Sequence, residues 1–142
     1  MGDEKKPYRR WVWVLALIAT VCAVPLGLLV WGAYSFGQAG REQTVDCAEA
    51  MEFARAGLPE TARDARCTGR HWQDTIVEVD FRMPTAEVGA WLETSYPEGV
   101  RPHSCEGDLC RDTAFDQQLY VDVTVVYEDG ATALVHLRAF DT

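Results

Sequence analysis

The chain has 142 residues, 48% of them hydrophobic, and carries a formal net charge of −9. This charge is uneven, because residues 1–10 are net +2, whereas residues 41–142 hold nine Arg, no Lys and twenty acidic residues. Since so acidic a segment repels phosphate backbones, we expect no nucleic-acid partner.

A long uncharged segment follows the basic N-terminus. No residue in 11–40 is charged, and this run exceeds the roughly 20 residues that cross a bilayer core. We predict a cytoplasmic tail over residues 1–10, a transmembrane helix over 11–34 and a linker over 35–44. Basic residues before the helix favour a cytoplasmic N-terminus, so the sequence predicts a single-pass protein of the cell membrane with its C-terminal domain outside.

The same segment admits a second interpretation, as a cleaved secretory signal. Gly37, Gln38 and Ala39 resemble the small-residue pattern that precedes cleavage sites. The apolar run is, however, longer than the roughly 7–15 residues of a signal, and aromatic residues crowd its outer end. These features favour an uncleaved anchor in the lipid bilayer, and both interpretations export the domain.

Small residues recur within the predicted membrane helix. Ala19, Ala23 and Gly27 are spaced by four residues, a pattern that lets two membrane helices approach closely. The helix is therefore a candidate for self-association, although membrane helices are rich in small residues in any case.

Residues 45–142 are predicted to form one extracytoplasmic domain of the α+β class. Thr44 or Asp46 can cap a first helix that Gly57 ends. The further predicted elements are a strand over 62–68, a strand over 75–83, a helix that Thr85 caps and that runs to about Tyr96, and a hairpin over 119–140 that turns at Asp129-Gly130.

The element order α-β-β-α-β-β predicts a small antiparallel sheet of three or four strands with both helices on its apolar face. Strict alternation along the strands leaves a polar opposite face. The predicted polar face comprises Glu78, Asp80, Arg82, Asp122, Thr124, His136 and Arg138.

Four cysteines follow the membrane helix: Cys47, Cys67, Cys105 and Cys110. An even number in an oxidising compartment indicates two disulfides, for which three connectivities exist. We favour Cys47–Cys67 and Cys105–Cys110, because the first helix folds back on the next strand and Glu106-Gly107-Asp108 can turn the short loop. A zinc site formed by His103, Cys105 and Cys110 with His71 is the alternative, at the edge of the usual spacing. A redox pair would favour the closer C-x-x-C spacing.

Catalytic patterns are sparse in this sequence. It has no G-x-S-x-G, no glycine-rich phosphate loop, and only isolated histidines. His136 is expected to meet a cross-strand partner such as Asp122. We therefore predict no catalytic residue, no metal and no cofactor.

The leading functional hypothesis is an interaction or structural module whose partner is another membrane or cell-surface protein. A small-ligand or cation-binding domain is the alternative, and a cleaved secreted protein or an enzyme ranks third. The preference for Arg over Lys, with abundant Ala, Val, Gly and Asp, is typical of a high-GC bacterium. Candidate interaction residues come from the long loop after Tyr96 and from the polar face: Arg101, His103, Glu106, Asp108, Asp122, His136 and Arg138.

Overall fold

A computed structural model describes residues 6–38 and 40–142, which fall into two compact units. The first is the helix α1, Lys6–Gln38, and the second is the domain Gly40–Thr142. Residues 1–5 of the predicted tail and Ala39 of the alternative cleavage pattern lie outside the described residues.

Helix α1 is long and apolar enough to span a membrane. Its apolar stretch Arg10–Gln38 contains 29 residues and continues through Pro25. At 1.5 Å per residue, this stretch is about 43 Å long. The helix therefore extends beyond the predicted transmembrane segment 11–34 into the region predicted as a linker.

The domain joins an antiparallel sheet to two short helices within residues 40–142. The sheet order is β1-β2-β3-β6-β5-β4, with every pairing antiparallel. The elements are β1 (Gln43–Thr44), α2 (Cys47–Phe53), β2 (Arg63–His71), β3 (Thr75–Pro84), α3 (Thr85–Ser95), β4 (Leu109–Phe115), β5 (Leu119–Tyr127) and β6 (Thr132–Asp141).

The α+β architecture is confirmed, but the predicted count of three or four strands is wrong, since the sheet has six strands within Gly40–Thr142. Strand β1 has only two residues, too few to show a periodicity. Strand β4 lies inside the segment predicted as a long loop. The sequence did not predict this strand because LCRDTAF lacks a clear apolar alternation. It pairs with β5 along its whole length, and Val100 bridges its outer edge at Asp112 through two 2.9 Å backbone hydrogen bonds.

The core lies between the sheet and the two helices. Alternate residues of β3, β5 and β6 are buried, as their sequence alternation predicts. The helices contribute Met51, Val88 and Leu92. The buried strand residues are Val77, Val79, Phe81, Met83, Leu119, Val121, Val123, Val125, Ala133, Val135, Leu137 and Ala139.

The helix ends follow local hydrogen bonding. The Asp46 carboxylate accepts from the backbone N–H of Ala48 at 2.8 Å, which confirms Asp46 as the cap of α2. The predicted cap of α3, Thr85, is wrong by one position, since Pro84 precedes the helix and makes no side-chain capping bond. Residues 128–131 connect β5 to β6, so the turn is longer than the predicted pair Asp129-Gly130. Within it, the Asp129 carboxylate accepts hydrogen bonds from the backbone N–H of Ala131 and of Thr132.

Candidate functional site

One face of the sheet is open within the domain, and we call it the outer face. It consists of the half-exposed positions that alternate with the buried core positions of β3, β5 and β6, extended by register to β2 and β4. Its central members are Glu78, Asp80, Arg82, Asp112, Tyr120, Asp122, Thr124, His136, Arg138 and Phe140.

A row of charged residues crosses the outer face. Register places Asp112 opposite Asp122, Asp122 opposite Arg138, and Arg138 opposite Glu78. The Arg138 Nε lies 3.9 Å from Glu78 Oε1. Partial burial, and then the neighbouring Asp112 carboxylate, raise the pKa of Asp122, and Arg138 opposes this shift.

The adjacent row contains the one histidine of the outer face. His136 Nδ1 lies 2.6 Å from Asp80 Oδ1, and the two side chains are 45% and 47% exposed. The predicted partner Asp122 is wrong, because strand order places Asp80 of β3 directly opposite His136, while Asp122 faces Arg138. The His136 imidazole is therefore accessible to solvent and is also paired with the Asp80 carboxylate.

Aromatic side chains lie at one end of the same face. The rings of Tyr120 and Phe140 stack with their centroids 5.4 Å apart. The Arg138 guanidinium lies over the Phe140 ring, 5.3 Å from its centroid. The outer face thus joins a charged row to an aromatic cluster through a single arginine.

Both predicted disulfides are present, with the predicted connectivity. The Cα atoms are 5.3 Å apart in Cys47–Cys67 and 5.7 Å apart in Cys105–Cys110. The zinc alternative required Cys105 and Cys110 as free thiolates, whereas here they are bonded to each other. Across residues 6–38 and 40–142, no group of three or more His, Cys, Asp or Glu side chains could hold a metal ion.

The short disulfide loop borders the outer face. Asp108 donates its backbone N–H to Val125 O at 2.9 Å, and its carboxylate accepts the backbone N–H of Tyr127 at 2.8 Å. Only glycine fits at position 107, because a methyl group there would lie 2.5 Å from Val125 O. The loop is therefore fixed against the end of β5, beside Thr124.

The structure brings together some of the predicted interaction residues. Asp122, His136 and Arg138 share the outer face, and Asp108 with Glu106 lies in the bordering loop. Arg101 and His103 are exposed in the segment before that loop. The sequence missed Asp112 and the stacked pair Tyr120–Phe140. Alternation on β5 and β6 places the two aromatic residues on this face, but only the register shows that they meet.

A shallow groove of about 640 Å³ lies on the opposite side of the domain, at α2 and the end of α3. Its charged side chains are Glu52 and Arg55, and Arg55 already pairs with Asp116 at 3.3 Å. The groove is lined by Ala48, Met51, Glu52, Arg55, Ala56, Gly57, Leu58, Thr94 and Ser95. With one of its two charged groups engaged elsewhere, it offers less specific chemistry than the outer face.

Comparisons of the chain with protein-family models, with curated proteins and with solved structures each gave no match.

Proposed function

We propose that this chain is a membrane-anchored module that binds a partner protein outside the cytoplasmic membrane through the outer face of its sheet. The observation that carries the proposal is the outer face itself, with half-exposed charged and aromatic side chains on the side opposite the core. Helix α1 would serve as the anchor, with the basic N-terminus in the cytoplasm.

The composition of the outer face favours a protein partner. Interfaces are enriched in Tyr, Phe and Arg, and their most important residues are often Tyr or Arg. Arg138 fits this description, because it contacts Phe140 and lies near Glu78. The charged row contains both signs, with Arg138 between the carboxylates of Asp122 and Glu78, so the face suits a partner with matching charges better than a uniformly charged polymer.

The helix and the cysteines together support the proposed compartment. Disulfides persist in oxidising compartments outside the cytoplasm. Cys47–Cys67 and Cys105–Cys110 both lie in the domain that follows α1. An external domain accounts for these bonds and for the basic residues before the helix.

Site-specific photocrosslinking in membranes of the source cells tests the proposal. A photoreactive amino acid at Val126, an exposed outer-face position, should give a discrete adduct with another protein. The same group at Ala90, exposed on α3, is the matched control and should give none. Adding Arg138→Glu to the Val126 variant should abolish the adduct while both disulfides remain. Equal adducts at the two positions, or none at either, would refute the proposal.

Cation binding is a second candidate, favoured by Asp112 facing Asp122 across β4 and β5. Two carboxylates can bind a divalent cation, but Arg138 lies opposite Asp122 and reduces the local negative charge. Calorimetric titration of the full chain in detergent with Ca²⁺ and with Zn²⁺ separates the two candidates. A saturable heat that Asp112→Asn removes would favour cation binding over the interaction module.

A further inference from the structure

Trp72 is the most conspicuous apolar side chain on the surface of the domain. It lies in the turn between β2 and β3, and its side chain is 67% exposed. The backbone of the turn is ordered by a hydrogen bond from Trp72 N–H to Asp74 O at 3.2 Å. A large amphipathic ring at the tip of a short turn is free to make a contact outside the domain.

The position of Trp72 is tied to the start of the domain. A methyl group built on Gly40 would lie 3.7 Å from the Trp72 Cβ. Only Ala39 separates Gly40 from Gln38, the last residue of α1. Gly40, and with it the domain, therefore begins only two positions after the end of α1 in the sequence.

The length of α1 sets the depth of that helix end. Arg10–Gln38 is about 43 Å long by its 1.5 Å rise per residue. A bilayer is about 30 Å thick across its hydrocarbon and about 40–45 Å with its headgroup regions. A helix that begins with Arg10 at the water edge of one headgroup layer therefore ends with Gln38 in the outer part of the opposite headgroup layer. Tryptophan is enriched at this depth, because its ring is apolar and its indole N–H is polar.

We propose that Trp72 inserts into the headgroup layer of the outer leaflet and gives the domain a second contact with the lipid bilayer. The inference rests on the membrane anchoring proposed above and adds a restraint on how the domain turns about its linker. The surrounding charges are mixed, with Arg41, Arg70, Glu42 and Asp74 all exposed. The indole therefore dominates this contact, and anionic lipid is not required.

Lipid quenching in the full chain, reconstituted into phosphatidylcholine vesicles, tests the proposal. An environment-sensitive fluorophore is attached at Gln73→Cys, next to Trp72, in a Cys22→Ala background. Val100→Cys is the matched control, since Val100 is an equally exposed apolar residue at 65% but lies beside β4. Intact mass must show that both disulfides remain in every variant.

Lipids with a headgroup quencher should reduce emission at position 73 several-fold more than at position 100. Adding Trp72→Ala should lower the quenching at position 73 to the level at position 100. Equal quenching at the two positions, or no effect of Trp72→Ala, would overturn the proposal.

The native Cys22 provides the control for the anchor. It is the free cysteine of the described residues and lies within α1. Labelled there, the unaltered chain should be quenched by lipids that carry the quencher on their acyl chains. Quenching at Cys22 without quenching at position 73 refutes only the role of Trp72. Absence of quenching at Cys22 refutes the anchor, and the role of Trp72 with it.

Discussion

Tyr96 is a residue whose single hydroxyl group links two elements of the core. It is fully buried, and it donates a hydrogen bond to Ala54 O at 3.0 Å, just after α2. Its ring makes an edge-on contact with Trp91, whose indole N–H donates to Gly57 O at 3.0 Å. Burial raises the pKa of Tyr96 because a buried phenolate would lose its hydration. These two residues hold the end of α2 against α3.

Replacing Tyr96 with Phe should destabilise the domain. The substitution keeps the ring but leaves the Ala54 carbonyl buried without its donor, which costs about 1–3 kcal/mol. Denaturant unfolding of the full chain in detergent measures this loss. Tyr120→Phe is the control, since that exposed hydroxyl lies 3.4 Å from Gln117 O and should matter by less than about 0.5 kcal/mol. Equal effects would contradict this account.

Asp122 gives a prediction with a defined pH dependence. Its pKa lies above the ordinary 3.8, so the folded domain binds this proton more tightly than the unfolded chain does. Stability therefore falls as pH rises from about 3.8 through the raised pKa. Asp122→Asn should stabilise the domain at pH 7 by roughly 0.2–1 kcal/mol, the scale of cross-strand pairs, and the gain should vanish below the ordinary pKa.

Unfolding of wild type and Asp122→Asn at several pH values checks this prediction. The double variant with Asp112→Asn should gain less than the sum of the two single variants, because each relieves the same repulsion. Destabilisation by Asp122→Asn at pH 7 would mean instead that attraction to Arg138 dominates.

Among the elements of the domain, the two disulfides differ in the length of chain that they close. Cys47–Cys67 spans 20 positions and joins α2 to β2, whereas Cys105–Cys110 spans five and pins a loop at β4. By restricting the unfolded chain, the first bond should stabilise the folded domain by about 3 kcal/mol and the second by about 2 kcal/mol.

Paired Cys→Ala variants should reproduce that order in denaturant unfolding. Removing Cys47–Cys67 should cost more free energy of unfolding than removing Cys105–Cys110. The latter change should instead release the loop, which hydrogen exchange at the Asp108 and Tyr127 amides would detect. A larger cost for the shorter bond would contradict the entropic account.

Helix α1 carries its own prediction about self-association. Ala19, Ala23 and Gly27 are spaced by four residues in a continuous helix and so share one side. Ala23→Leu should weaken a helix dimer in detergent micelles, measured by energy transfer between labelled chains. Val21→Leu, on the other side, is the control. Equal weakening of the dimer by the two substitutions, or no dimer in the unaltered chain, would contradict self-association through this side of the helix.

The elements also show how far a sequence of this kind can be interpreted. Alternation predicted β3, β5 and β6 and placed Asp122, His136 and Arg138 on one face, since a half-buried strand repeats every two residues. It could not predict that β6 lies between β3 and β5. For that reason it assigned Asp122 to His136 and could not place Asp112 in the charged row. Strand β4 depends on pairing with β5 more than on its own pattern.

At the scale of the whole molecule, charge, helix and disulfides give a consistent account. The described residues contain one helix that is long and apolar enough to span a membrane, preceded by basic residues. The domain after it is acidic, disulfide-bonded and open on one sheet face. The proposed binding module outside the membrane would account for these properties together.

The location of the domain is the central claim, and a pair of reporters fused after Thr142 tests it most directly. One reporter folds and works only outside the cytoplasm, and the other works only inside it. The account predicts activity from the first fusion and none from the second, with both fusions recovered in the membrane fraction. Activity from the cytoplasmic reporter alone would contradict the account.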